Sequence, residues 1–401
     1  MRIITMILRI YSILILIALL FINCTRPNQK ARTDYDQLYA LWHEDIFKDS
    51  IARELKPYVN TALTLNNTKQ SREKIDKLLG KLRWTRDSIS FFKLSKKAVL
   101  FSKRASDDNL LASTYNNIGM YYHDIGVLDS TFYYYVKAEN VYRSLGDSMK
   151  VGEMEFFQAR VLYEKGLTME SEVKVANSLK ILQDYPLNPV PFEANQLMAL
   201  CLIEREEYTK GKEYLLKAID LMLADLGKNK VLDSKYLSYA IAMGYNNLSA
   251  LEIVLENYQK ASIDAQEGLR YLPKNSSEIL SGTLKSNKAR AEFYSSLTNN
   301  REKSESYISI VKQSYEIAKQ LKHNYLQYNS AIMVADMYYE LNNHKQALDW
   351  AKQAYLVATQ KQLKVLEKEA LGLINVLEKY IKKIGSIFSL NSDVYLFYVT
   401  Y

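Results

Sequence analysis

Residues Thr114 to Asp147, TYNNIGMYYHDIGVLDSTFYYYVKAENVYRSLGD, hold two helices and both of their stops. Tyr115, Ile118, Gly119 and Tyr122 recur at the three- and four-residue spacing of one helical face, and on that face only Gly119 lacks a side chain. A second helix can come closest there. Gly126 ends the first helix, since glycine readily takes the left-handed backbone of a helix C-terminus. Ser130 to Val141 returns as the second helix, with Tyr135 and Ala138 three apart, and Leu145-Gly146-Asp147 leads out through another glycine stop.

The small residue of the first helix recurs along the chain at Gly119, Ala159, Ala199, Ser249, Ala291 and Ala335, in steps of 40, 40, 50, 42 and 44 residues. The window holding Tyr245, Leu248, Ser249, Ala261, Ala265 and Pro273 repeats the pattern in register, and Val334, Ala335, Tyr338, Leu341, Ala347, Ala351 and Ala354 do so again. The long step is assigned to Leu223–Ser238, read as a longer second helix with a loop at Gly227–Lys230. Over about Leu111 to Tyr380 this set resembles the tetratricopeptide repeat (TPR) family, whose first helix carries aromatic-x2-L-G-x2-Y. The minimal unit of that family is about 34 residues, so these units carry extra helical turns. The resemblance implies an all-α, TPR-like α-α solenoid, each unit resting on its neighbours.

Composition agrees. Six prolines and thirteen glycines in 401 residues are few, as a mostly helical chain requires.

Five segments follow. Residues 1–23 have Arg2 and Arg9, then the apolar run Ile10–Ile22, too short at 1.5 Å per residue to cross a hydrocarbon core of about 30 Å. They read as a signal peptide, and Leu20-Phe21-Ile22-Asn23-Cys24 resembles a bacterial lipoprotein signal, with Cys24 as the lipidated residue and an uncleaved anchor as the alternative. Residues 24–33 form a polar tether, and since it lacks the acidic cluster that marks surface export in some Bacteroidetes lipoproteins, the resemblance implies a periplasm-facing anchor in the cell envelope. Residues 34–110 hold an amphipathic helix from Tyr35 to Lys56, stopped by Pro57, and a diverged repeat (Ser71–Arg83, Asp87–Arg104) with Phe92, Ser95, Val99 and Ser102 as its inner stripe. The solenoid covers 111–380, and 381–401 reads as an irregular tail.

The formal charge of +8 is concentrated. Lys69 to Arg104 contains twelve Lys and Arg against Glu73, Asp76 and Asp87, which reads either as a solvated helix face or as contact with an anionic membrane or acidic partner. The export signal argues against nucleic acid. Cys201 lies in the apolar run Leu197–Leu202 and is expected to be a buried, inert thiol.

Catalytic patterns are missing from the sequence. His43, His123, His323 and His344 lie far apart, each expected as a surface imidazole, and His43-Glu44-Asp45-Ile46-Phe47 has Phe47 where a second zinc ligand would stand. No phosphate-binding glycine loop, nucleophile elbow or Cys-x2-Cys pair occurs, so neither enzyme activity nor a metal or cofactor is expected. The resemblance instead implies binding of a protein or peptide partner. Its candidates are Asn116, Asn117, Asn246 and Asn247 on the inward face of the first helices, with Asn195, Lys288 and Asn329 behind them, because an amide can both donate to a ligand C=O and accept from its N–H. The same asparagines can equally serve packing or capping. Thirty-two tyrosines read mainly as inter-helix core with hydroxyls at the rim. Two functions stand: a membrane-anchored TPR scaffold in the envelope, or, by resemblance to TPR regulators of Bacteroidetes, a sensory portion lacking its output module.

Overall fold

The computed structural model describes residues 49–85, 87–185, 190–226, 234–273, 278–297, 303–321, 323–360 and 366–381. The signal peptide, Cys24, the tether, His43 and the tail after residue 381 lie outside these. The helices are α1 (Asp49–Thr64), α2 (Lys69–Leu82), α3 (Ser88–Ala105), α4 (Asp108–Asp124), α5 (Leu128–Ser144), α6 (Ser148–Glu164), α7 (Thr168–Leu182), α8 (Val190–Glu204), α9 (Tyr208–Asp225), α10 (Ser234–Val254), α11 (Tyr258–Tyr271), α12 (Glu278–Ser296), α13 (Ser304–Gln320), α14 (Asn324–Glu340) and α15 (His344–Gln360). A further helix, α16, covers 366–381, and no strand occurs among the described residues.

The turns set the metre. Left-handed backbone falls at Ser106, Gly126, Gly146, Gly166 and Glu206, on a twenty-residue beat, and again at Glu256 and Asn342. At Gly126 the Gly126 N–H bonds the His123 carbonyl at 2.9 Å and the Val127 N–H bonds the Tyr122 carbonyl at 2.9 Å, and the same pair of bonds recurs at Gly146, Gly166, Glu206, Glu256 and Asn342. This double bond satisfies carbonyls that a helix otherwise leaves open. The next helix starts at once, and Asp87, Asp107 and Asp147 cap the free N–H groups of Ser90, Leu110 and Lys150 at 3.0, 3.1 and 3.0 Å. Seventeen-residue helices joined by such turns give the forty-residue unit.

The chain divides into two compact units, and the division falls inside α10, between Leu248 and Ser249. In each unit helices pack on their sequence neighbours, and first helices also touch first helices: α2 on α4 and α6 on α8 in one unit, α12 on α14 in the other. This is the all-α, TPR-like solenoid arrangement. Close approach depends on the small residues. A Cβ on Gly119 would lie 2.7 Å from the Tyr135 ring of α5. Ala159, Ala199, Ser249, Ala291 and Ala335 are all buried. At several crossings a serine joins the two helices, as Ser171 Oγ donates to the Ala159 carbonyl and Ser249 Oγ to the Ala261 carbonyl, each at 2.8 Å. Around these contacts lies continuous apolar packing, with Phe91 stacked on Tyr121 at 4.5 Å in the first unit and Phe293, Ile308, Met337 and Val334 buried together in the second.

Four expectations change. Pro57 does not stop a helix but sits inside α1, because Leu55, Val59 and Ala62 are anchored in the core, and that burial outweighs the loss of one backbone hydrogen bond. The buried stripe of α3 is Phe91, Leu94, Ser95, Ala98, Phe101 and Ser102, so Phe92 and Val99 lie one residue off it and are half-buried. The long step lengthens the first helix rather than the second: α9 ends at Asp225, and Ser234–Ser238 open the 21-residue α10. Pro191, which with Pro186 and Pro189 reads from the sequence as lying between two units, is in the first turn of α8, where its missing N–H costs little.

The glycines of two helices should respond oppositely to alanine. Gly119→Ala drives a methyl into Tyr135 and should cost about 1–3 kcal/mol. Gly80→Ala, with no atom within 4 Å of its would-be Cβ, should gain about 0.5–1 kcal/mol. Urea midpoints of the two variants against the parent give the comparison.

Candidate functional site

Buried polar side chains collect on the first helix of each pair. In the first unit they include Thr114 and His123 on α4, Glu155 and Gln158 on α6, Asn195 and Gln196 on α8, and Asn246 and Asn247 on α10, while the second helices bury mainly hydroxyls and Glu139. In the second they include Asn287 and Arg290 on α12 and Asn329 and Asp336 on α14. A polar group removed from water must find a partner or lose stability, so such groups mark either a network or a place held for a ligand.

Three clusters result. The first is a file of amides joining α8 to α10. Asn247 Nδ2 donates to Gln196 Oε1 at 2.6 Å, Asn246 Nδ2 lies 3.4 Å from Asn247 Oδ1, and Asn195 Nδ2 donates to the Pro191 carbonyl at 2.6 Å. Gln196 Nε2 and Asn195 Oδ1 are sealed from solvent and have no hydrogen-bond partner among the described residues. A spare donor and a spare acceptor thus stand on consecutive residues of α8, the two kinds of group that a peptide backbone can pair.

The second cluster is ionic. Arg143 of α5 reaches Glu139 at 2.5 Å and Glu155 of α6 at 3.4 Å, Lys174 of α7 reaches Glu155 at 2.8 Å, and Gln158 donates to Glu139 at 2.7 Å. Burial alone pushes the Glu139 carboxyl up, but the bonds from Arg143 and Gln158 and the charge of Lys174 outweigh it and hold the group below its ordinary value. Beside it, His123 Nε2 lies 2.8 Å from Glu164 and Arg160 Nη2 lies 2.9 Å from His123 Nδ1, so a ring protonated at Nε2 satisfies both neighbours. The third, in the other unit, sets Arg290 3.1 Å from Asp336, with the Tyr294 hydroxyl bonded to the same carboxylate and Tyr258 stacked on Tyr294 at 5.0 Å.

The four predicted asparagines are not brought into one place. Asn246 and Asn247 are buried in the amide file. Asn116 and Asn117 are half-buried on α4; Asn117 Nδ2 bonds back to the Ser113 carbonyl at 3.0 Å, and Asn116 Oδ1 is sealed without a partner among the described residues. Lys288 pairs with Glu292 at 3.2 Å, and Asn329 is buried. Gln196 was missed although a signal existed: Asn116, Gln196 and Asn246 each stand three residues before a small residue of the repeat, Gly119, Ala199 and Ser249. The Arg290–Asp336 pair had no such signal, since its members lie 46 residues apart.

Two histidines expected at the surface are buried, His123 and His323. His323 caps α14 by accepting the Leu326 N–H at Nδ1, which requires a neutral ring. Cys201 is fully buried, and burial pushes its thiol up to about 12. Of the tyrosines, Tyr121, Tyr135 and Tyr142 are core, whereas Tyr133 is exposed and shelters Lys137 at 4.5 Å. Among the described residues no helix is long and apolar enough to cross a membrane, and no group of side chains is placed to hold a metal.

The fold has solved counterparts. The chain is similar to the apo form of RapI, with a TM-score of 0.55 and 15% identity over 73% of this chain and 99% of that one. It is also similar to a Rap protein complexed with competence and sporulation factor, with a TM-score of 0.50 and 13% identity over 87% and 99% of the two chains. A tetratricopeptide repeat protein from Parabacteroides merdae matches at a TM-score of 0.48 and 14% identity, over 75% and 99%. No protein-family model and no curated protein matches the sequence. The fold is therefore that of the TPR-type helical-repeat proteins.

Burial lowers His323 from its ordinary value of 6.5 to about 4. The unfolded chain takes up this proton first, so the stability conferred by a neutral His323 is complete above about pH 6.5 and is lost as pH falls toward about 4, by about 3 kcal/mol in all. Glu369, pushed up to about 7 by burial, acts in the opposite sense, so variant and parent must be compared at each pH. His323→Asn keeps an acceptor for Leu326 and should flatten the acid loss, read as urea midpoints between pH 7 and 4.

Proposed function

We propose that this protein is a peptide- or protein-binding receptor of the cell envelope, held at the membrane through a lipid on Cys24 and facing the periplasm. The carrying observation is the amide file, in which Gln196 Nε2 and Asn195 Oδ1 lack partners beside the Asn247–Gln196 bond. A ligand backbone would supply the missing acceptor and donor. Support for a peptide as ligand comes from the similar fold of a Rap protein complexed with competence and sporulation factor. Asn116 and Asn117, half-buried, would extend the contact along α4. The lipid anchor and the location rest on the lipoprotein-type signal around Cys24.

The sensory reading gains from the same geometry. Because the amides of α8 and α10 are sealed, a ligand reaches them only by parting the Asn247–Gln196 bond, so that binding and a change in helix spacing are one event.

The test is a library of short peptides displayed against the full chain, followed by affinity measurement on the best binder. Gln196→Ala/Asn247→Ala should weaken binding about 10- to 100-fold, as loss of two hydrogen-bonding groups predicts. Asn116→Ala/Asn117→Ala should weaken it by less. Unchanged affinity in the first variant would remove the amide file from the reading. Separately, labelled palmitate should enter the parent and not Cys24→Ala.

A further inference from the structure

Helices α2 and α3 carry positive charge that no ion pair neutralises among the described residues. Lys74, Lys77 and Lys81 on α2 and Lys93, Lys96 and Lys103 on α3 are exposed, and none has a side-chain ion pair or hydrogen bond among the described residues. The acids nearby are otherwise occupied: Asp76 accepts from Ser113 at 2.6 Å, Asp87 caps α3, and Asp107 pairs with Arg72 at 2.6 Å. Glu73 on α2 and Asp108 at the start of α4 are the exposed acids of that stretch among the described residues. Lys97 differs from the rest, since it donates to the carbonyls of Leu63 and Leu65 at 2.6 and 2.7 Å and serves the end of α1.

The exposed face of α3 is not only charged. Ile89 is 69% exposed and Leu100 is 44% exposed. At about 100° per residue, Ile89, Lys93, Lys96, Leu100 and Lys103 fall within roughly 40° of one line along the helix. Two aliphatic side chains flanked by lysines on one face are what a helix lying in a headgroup layer presents. Apart from Arg104 at the end of α3, the exposed cations of the two helices are lysines, compact point charges suited to a diffuse anionic surface, whereas directional pairing with a protein carboxylate favours the arginine fork. An acidic protein surface is therefore the poorer fit.

We propose that α2 and α3 form a docking surface for anionic lipid bilayers, separate from the ligand-binding helices and independent of any acyl group on Cys24. The lysines draw the pair onto the surface, and Ile89 and Leu100 enter the headgroup boundary.

Vesicle flotation of the full chain carrying Cys24→Ala tests this, with phosphatidylcholine vesicles against vesicles mixed with phosphatidylglycerol. An apolar N-terminal segment would bind both alike, so the readout is the ratio between them. The expected ratio is about tenfold or more at low salt, falling toward one at high salt. Lys93→Glu/Lys96→Glu/Lys103→Glu should abolish the preference, and the milder Lys→Gln triple variant should reduce it, with urea midpoints confirming that both fold. Ile89→Ser/Leu100→Ser should lower binding to anionic vesicles while keeping its salt dependence. Gln196→Ala/Asn247→Ala should float like the parent, which keeps this surface distinct from the peptide-binding reading. Equal partition of the parent into both vesicles, or a preference that survives charge reversal, would overturn the proposal and leave an acidic protein as the occupant.

Discussion

The close approach of two helices at a position with little or no side chain is the constraint on which the rest depends. At Gly119 the Tyr135 ring occupies the space a Cβ would need. Interiors pack at near-crystalline density, so one methyl group there must displace a ring or part the helices. The twenty-residue spacing of the turns brings such a position to each crossing in succession, and the left-handed residues at Gly126, Gly146 and Gly166 return the chain at the right length. Close packing then permits direct bonds between helices, such as the one from Ser171 to the Ala159 carbonyl.

Once helices are this close, the polar groups between them cannot remain hydrated. The cluster of Glu139, Arg143, Glu155, Gln158 and Lys174 solves the problem by mutual pairing across three helices. The Arg290–Asp336–Tyr294 group does the same on one carboxylate. Such pairs seldom add much net stability over apolar packing, but removal of one member strands the other. They therefore favour one register of helix against helix, which apolar contacts alone specify weakly. Pairing is incomplete in all three clusters, since Gln158 Oε1 and Asp336 Oδ1 are sealed without hydrogen-bond partners among the described residues, as Gln196 Nε2 and Asn195 Oδ1 are. The amide file differs in being uncharged and in leaving both a donor and an acceptor open.

Much of the fold was legible because it rests on short-range signals. Gly126 and Gly146 stop helices, Asp87 starts one, and the small residues recur at intervals that can be read without knowing what they touch. What could not be read was decided across space. Pro57 reads as a stop in isolation, and only the anchoring of Leu55, Val59 and Ala62 keeps α1 continuous. On α3, Ser95 and Ser102 are buried as read, but Phe91 rather than Phe92 stacks on the face of Tyr121, and Ala98 rather than Val99 is buried. His323 resembles a surface residue until its Nδ1 is seen capping α14. Within the candidate site, Asn246 and Asn247 were visible as a repeated pair, but their partner Gln196 became visible only when the small residues were aligned and the residue three before each was compared.

The sealed state of the amide file bears on how a ligand could act. Gln196 and Asn247 are each about 1% exposed, so neither can meet a ligand at the surface of the helices as they stand. The bond between them, at 2.6 Å, would be exchanged for bonds to the ligand, while Gln196 Nε2 and Asn195 Oδ1 would gain partners they lack. One hydrogen bond lost against two or three gained gives a small favourable balance, on the order of 1–3 kcal/mol before the cost of moving the helices. Affinity beyond that must come from side chains of the ligand packed against the same helices. A receptor built this way is selective by construction, because a ligand that cannot supply those contacts lacks the energy to open the site.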